Sequence, residues 1–224
     1  VKRRRRALAI ATLLLLASGA ALYLLSRREP EWWYQPGESA PLAAEQVENA
    51  VISELSLARP AARQGPYRSR EWTLEVVQDE ANAWLATRLR SWVENRGGRW
   101  PDQLDGVRVA FEPGRVLLGL RLTEEYGGRV ISTAGVPRVA TDGSLWLQAT
   151  STRLGSVPLP QGLLLDRLRQ LSQGGAADLV NALDGRSALL RDAVIGLDDG
   201  RRVRILGVEV ADGVLRLRLR TEKD

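Results

Sequence analysis

The sequence predicts an α+β protein: an N-terminal transmembrane helix followed by a mostly antiparallel curved sheet packed with several helices. Three observations carry that expectation. An uncharged run from Ala7 to Ser26 follows five consecutive basic residues, Lys2 and Arg3 to Arg6. From Asp105 the apolar period changes from the 3.6 of a helix to the 2 of a strand. Apolar alternating runs turn at Pro113-Gly114 and again at Asp212-Gly213, both strong turn dipeptides. The expected division is 1–6 as a cytoplasmic basic terminus, 7–26 as a membrane anchor, 27–41 as a juxtamembrane linker and 42–224 as an extracytoplasmic domain.

The anchor follows from length and flanking charge. Ala7 to Leu25 would span roughly 29 Å as a helix, close to a hydrocarbon core of about 30 Å. Five positive charges precede the run and two, Arg27 and Arg28, follow it, which puts the N-terminus in the cytoplasm and the rest across the cell membrane. A cleaved signal peptide, cut near Ser18-Gly19-Ala20, is the competing reading; the apolar run is longer than the about 7–15 residues such a segment uses. Lipid attachment at a lipobox is excluded because the chain has no Cys. Trp32, Trp33 and Tyr34 are expected at the membrane interface as an aromatic belt. Pro30, Pro36, Pro41 and Gly37 make Glu29 to Pro41 read as a stiff, extended spacer.

Beyond it, Val47, Val51 and Leu55 recur at helical spacing, and Pro60 ends that helix. Trp72, Leu74 and Val76 alternate with polar residues as a half-buried strand. Gln78-Asp79-Glu80 opens a helix, with Asp79 as the expected N-cap, Ala81, Trp84, Leu85, Leu89, Trp92 and Val93 as its apolar stripe and Gly97-Gly98 as its stop. A hairpin about Pro113-Gly114 would pair Phe111 with Val116, Val109 with Leu118 and Val107 with Leu120, all on one face. Strands over 129–140 and 144–152 follow, joined at Asp142-Gly143. Gly155 to Pro160 reads as an extended lead-in to a helix bearing Leu164, Leu168 and Leu171, and a second short helix is expected within 176–190. A type I′ turn at Asp212-Gly213 sets Val210 opposite Leu215, Val208 opposite Leu217 and Leu206 opposite Leu219, with Glu209 facing Arg216. Val203 and Ile205 are out of phase with Leu206, which predicts a bulge near Leu206-Gly207.

Composition excludes much chemistry. There is no His and no Cys, and the only lysines are Lys2 and Lys223. Disulfides, thiolate or imidazole zinc sites and Ser–His–Asp or Cys–His nucleophiles are therefore ruled out, and a Ser–Lys dyad would need a terminal lysine. No cofactor and no metal site is expected. The carboxylate pairs Asp79-Glu80, Glu124-Glu125 and Asp198-Asp199 fit helix starts and turns better than a glycosidase-like acid/base pair. Five Asp-Gly dipeptides, at 105, 142, 184, 199 and 212, read as turns; none has calcium-loop spacing. No phosphate-cradling glycine loop is present. Trp72, Trp84, Trp92, Trp100 and Trp146 read as core anchors rather than stacking platforms. Arg202, Arg204, Arg216, Arg218 and Arg220 line one strand face, either a strip for anionic headgroups or a partner, or a solvated face with edge-protecting charge.

The run Trp72 to Leu85 (WTLEVVQDEANAWL), with its Asn-Ala-x-Leu core, resembles the strand-then-helix opening of YpmS-like membrane-anchored bacterial proteins. Leu154 to Pro160 (LGSVPLP) before a leucine-spaced helix, and Arg202 to Gly213 (RVRILGVEVADG) with its return strand, are similar to further elements of that family. The resemblance covers roughly residues 70–221 plus the anchor. It offers no catalytic residues; more remotely, TULIP-like lipid-binding domains are similar in pairing a curved sheet with helices, which implies an apolar groove for lipid tails.

The expected function is thus a single-pass, membrane-anchored domain without enzymatic activity that binds lipid or another hydrophobic ligand, with Leu118, Leu120, Trp146, Leu164 and Leu168 as groove lining. The alternative is an envelope scaffold that binds a protein partner through a sheet edge or the arginine face. A carboxylate-dependent hydrolase is a distant third, and nucleic acid is not an expected partner. The formal charge of +5 supports this: residues 7–224 hold 27 basic and 27 acidic groups, so the excess is a topology signal and the domain is neutral.

Overall fold

The structure is a computed structural model that describes residues 2–57, 66–160, 162, 181–197 and 199–223. It is α+β, as expected, but holds two five-stranded antiparallel sheets rather than one curved sheet. The chain runs α1 (Lys2–Arg27), α2 (Ala40–Leu57), β1 (Tyr67–Arg68), β2 (Trp72–Val77), α3 (Gln78–Thr87) and α4 (Leu89–Asn95). Then come β3 (Leu104–Glu112), β4 (Arg115–Leu122), a 3-10 turn (Glu124–Tyr126), β5 (Val130–Val139), β6 (Leu145–Leu154) and β7 (Val157–Leu159). β8 (Val194–Gly196), β9 (Arg202–Ala211) and β10 (Val214–Lys223) complete it. Among the described residues, no helix is long and apolar enough to cross a membrane.

The meander β3-β4-β5-β6-β7 forms the first sheet. Its opening hairpin has the expected register, Phe111 opposite Val116, Val109 opposite Leu118 and Val107 opposite Leu120. Gly114 takes φ +76° after Pro113, a conformation that costs glycine nothing. Gly155 and Ser156 form a turn, so Val157–Leu159 returns on β6 as a strand instead of leading straight into a helix.

The second sheet is β8-β9-β10, with β1 and β2 both paired along the outer edge of β10. Val210 faces Leu215, Val208 faces Leu217 and Glu209 faces Arg216, as expected. Leu219 faces Ile205, not Leu206: Leu206 is the extra residue of the bulge. That slip brings Val203 and Ile205 into phase with Leu219. These three and Ala193 make a buried cluster on which Leu55, Trp72, Leu74, Val139 and Leu145 pack. The two sheets also bond directly where their hairpin tips meet: Gly114 N–H donates to Val210 O (2.8 Å) and Gly213 N–H to Phe111 O (3.0 Å).

Helix α3 starts at Gln78 with no break after β2. Asp79 is not the N-cap; Val77 occupies that position without a side-chain bond, and Asp79 and Glu80 sit in the first turn, where negative charge suits the helix dipole. Its principal task is along β3, whose outer edge has no strand neighbour. Asn82, 0% exposed, donates from Nδ2 to Val109 O and accepts the Val109 N–H at Oδ1, both at 2.8 Å. One turn earlier, Gln78 Oε1 accepts the Phe111 N–H at 2.7 Å. Four residues of helix rise about 6 Å and two of strand about 6.7 Å, so an i, i+4 amide pair matches alternate strand positions. Val109 and Phe111 obtain from side chains what a sixth strand would supply. On its other side α3 meets α2, where Trp84 Nε1 donates to Glu48 Oε1 (3.0 Å). Trp84 packs edge-on to Trp92, which is 45% exposed under the Arg96 guanidinium and so is not the core anchor expected.

Asn82→Ala leaves the N–H and C=O of Val109 unpaired in the interior. We expect a loss of about 2–4 kcal/mol, measured as a lowered urea midpoint with an unchanged m-value; a loss under about 0.5 kcal/mol would contradict the clamp.

Candidate functional site

The arginine strip is placed where expected, on the outer face of β9 and β10, but it is already neutralised. Arg216 bonds Glu75 (2.7 Å) and lies 3.5 Å from Glu209, Arg218 is 3.8 Å from Glu71, and Arg220 meets Glu71 at 2.9 Å. Arg204 joins Glu222 (3.2 Å) to Asp192 (2.8 Å), and Arg202 stands opposite Glu222 in the β9–β10 register. The Glu75 hydrogen bond and charge hold the Arg216 guanidinium above its ordinary value. At Arg204 burial pulls downward, but Glu222 and Asp192 outweigh it, with the same net direction. Exposed pairs like Arg216–Glu75 contribute only about 0.2–1 kcal/mol each. They leave little field for an anionic ligand.

The expected groove residues do not come together. Leu118 and Leu120 project from one face of the first sheet, through register partners Thr133 and Ile131. Trp146 pairs with Arg138, which alternation along β5 puts on the opposite face. The cause is an extra residue in β6: Ala134 faces Ser151 and Gly135 faces Ala149, so Thr150 is bulged and its neighbours change phase. Trp146 instead sits under the Arg138 guanidinium and donates to Ser144 Oγ (2.7 Å). Ser144 in turn donates from its hydroxyl and its N–H to Asp142, holding that carboxyl below its ordinary value. Since the folded value is the lower one, this turn's contribution is present at neutral pH and lost as pH falls through it. Leu164 and Leu168 lie outside the described residues.

The side chains that do converge join α1 to the first sheet. Residues 28–36 are not a free spacer and Trp33 is not an interface residue: it is 7% exposed, with its ring and that of Trp32 laid over Gly119 of β4. A Cβ at Gly119 would come within 2.6 Å of Trp32 and 2.7 Å of Trp33, so only glycine admits them. Trp32 and Tyr34 are partly exposed on either side. The guanidiniums of Arg108 and Arg121 lie 5.6 and 5.0 Å from the Trp33 ring centroid. Arg108 donates to Tyr34 O and Val107 O; burial, then the charge of Arg121, holds its value below normal. Arg121 is ion-paired to Glu29. Sequence reasoning passed over Arg108, Gly119 and Arg121, although a glycine inside the apolar strand Val116 to Leu122 was a signal that another group comes close.

Helix α1 is fixed as well. Ser156 N–H donates to Leu25 O (2.9 Å), and Gly155, at φ +57°, lies so close that a Cβ would stand 2.5 Å from Ser26 O. The guanidiniums of Arg27 and Arg129 lie 5.6 and 5.5 Å from the Tyr23 ring centroid. Beside this junction opens a cleft of about 320 Å³ lined by Arg28, Glu31, Trp32, Ser132, Arg153 and Ser156, among others.

Trp33→Ala should cost about 3 kcal/mol, and Gly119→Val should reproduce it by expelling both indoles; limited proteolysis should then cut both variants within residues 28–36 and spare the wild type there. Equal protease resistance in all three proteins would refute the docked junction. Comparison with protein-family models, with curated proteins and with solved structures finds no match, so the function is read from this geometry.

Proposed function

We propose that the chain is a single-pass membrane protein whose α1 is the anchor and whose extracytoplasmic α+β domain acts, without catalysis, on lipid or another hydrophobic ligand. No helix among the described residues is by itself long and apolar enough to span a membrane; what carries this reading is the surface of α1 from Leu13 onward, preceded in sequence by the apolar run that begins at Ala7. Leu13, Leu14, Leu15 and Leu16 are each between 61% and 75% exposed. Consecutive residues stand about 100° apart on a helix, so these four leave no side of it polar. Such a surface is stable in hydrocarbon and costly in water. The basic residues before it and the docked junction after it support an anchor at one edge of the domain. The ligand reading draws support from Val107, Val109, Leu118, Leu120 and Ile131, partly exposed apolar side chains on one sheet face. The resemblance to YpmS-like proteins points the same way.

The scaffold alternative is less favoured because most of its surfaces are occupied. Carboxylates cover the arginine face, α3 satisfies Val109 and Phe111 on the edge of β3, and the edge strands β7 and β8 have three residues each, which leaves the six-residue β2 as the longer sheet edge. For a hydrolase, Glu124 and Glu125 sit in a 3-10 turn, and Arg201 takes both oxygens of Asp199.

Two outcomes are expected. The full chain stays in the pellet when membranes are washed with alkaline carbonate, and protease added to intact spheroplasts degrades the domain; release by carbonate refutes the anchor, and protection refutes the orientation. Native mass spectrometry of the detergent-extracted chain should show co-purified lipid, reduced by Leu118→Asp and Leu120→Asp.

A further inference from the structure

We propose that the cleft beside the α1 junction is a binding site for the phosphodiester headgroup of an anionic phospholipid, held chiefly by Arg28 and Arg153. The inference rests on the membrane-anchored reading for its source of ligand, and on the cleft itself for its chemistry. Arg28 and Arg153 both line it and are exposed. Among the described residues neither guanidinium has a carboxylate or hydrogen-bond partner, unlike the ion-paired arginines of the strip. Two arginines on one cleft offer planar forks that suit the oxygens of a phosphodiester, and Ser132 and Ser156 line the same cleft.

The surroundings reinforce the sign. Arg27 and Arg129 both lie close to the Tyr23 ring at the adjoining end of α1, and among the described residues Arg129 Nε is buried without a hydrogen-bond partner. Two carboxylates also line the cleft. Glu29 is committed to Arg121 and Gln35, which leaves Glu31 as the opposing charge. The terminal carbonyls of a helix repel anions, but Leu25 O already accepts the N–H groups of Ser156 and Arg28. Depth matches as well. The apolar run of α1 ends at Leu25, the residue bonded to the β6–β7 turn, so the cleft stands where hydrocarbon gives way to headgroups. The partly exposed Trp32 in the wall adds an indole suited to that boundary.

The test uses the full chain in detergent micelles, so that it holds whether or not α1 spans a membrane in the cell. Native mass spectrometry follows retention of phosphatidylglycerol against phosphatidylcholine by the wild type, by the double variant Arg28→Gln/Arg153→Gln and by Arg216→Gln as a remote control. The wild type should prefer phosphatidylglycerol, and the double variant should lose about fivefold per guanidinium, roughly 25-fold in all, with Arg216→Gln unchanged. Equal retention by wild type and double variant overturns the site. Displacement of phosphatidylglycerol by millimolar inorganic phosphate assigns the cleft to a free phosphate and overturns the lipid. A chain released from membranes by carbonate that still shows the Arg28- and Arg153-dependent preference would separate failure of the anchor from failure of the site.

Discussion

The fold depends on helix α3 standing in for a strand. β3 is nine residues long and carries an open ladder of backbone groups on its outer side. Left bare, that ladder would pair with another chain. Gln78 and Asn82 close it with three hydrogen bonds to Val109 and Phe111. Because Gln78 follows β2 without a break, the same contact ties the second sheet to the first. An aliphatic residue at position 82 would satisfy neither the Val109 N–H nor its C=O, so the site demands an amide rather than merely a small or buried side chain. The Asn-Ala-x-Leu run therefore has a physical reason: the amide holds the edge, and Ala83, fully buried, lets the helix lie close.

A second constraint fixes how the end of α1 sits on the first sheet. Gly119 and Gly155 are both used for the approach of something outside their own strands, indole rings at one and helix backbone at the other. Together they seat the end of α1 and the segment after it on the first sheet. The domain is consequently not a body on a loose tether. The arginines divide in the same way: Arg204, Arg216 and Arg220 on the second sheet are neutralised by carboxylates, while Arg28 and Arg153 beside the helix have no carboxylate partner among the described residues.

Local pairing was legible in the sequence, and contacts across long separations were not. Both hairpin registers follow from alternation about Pro113-Gly114 and Asp212-Gly213, and the conflict between Ile205 and Leu206 announced its own bulge. The bulge at Thr150 had no such signature, because the residues around it, Gln148 to Thr152, are small or polar on both faces; Trp146 was accordingly assigned to the wrong side. The seat of Trp33 was hidden for a different reason. Two tryptophans beside an apolar run fit an interfacial belt as well as they fit a sheet, and only the empty space over Gly119 distinguishes the two. The pairing of β2 with β10 rather than with the meander was likewise invisible to periodicity, since any half-buried strand offers the same alternating face.

That last pairing has a kinetic consequence. Glu75 and its partner Arg216 are 141 positions apart, and Trp72 and Thr221 are 149 apart. Loop closure of that length precedes any gain from the contact, so the second sheet is expected to form late. Until β10 arrives, β1 and β2 have no neighbour, and α3 has no fixed strand from which to reach β3. For a chain synthesised N-terminus first, the segment nearest α1 must therefore wait, unpaired, for residues 214–223. During that interval the exposed edges of β2 and β3 are where a chaperone would bind, or where two nascent copies would entangle.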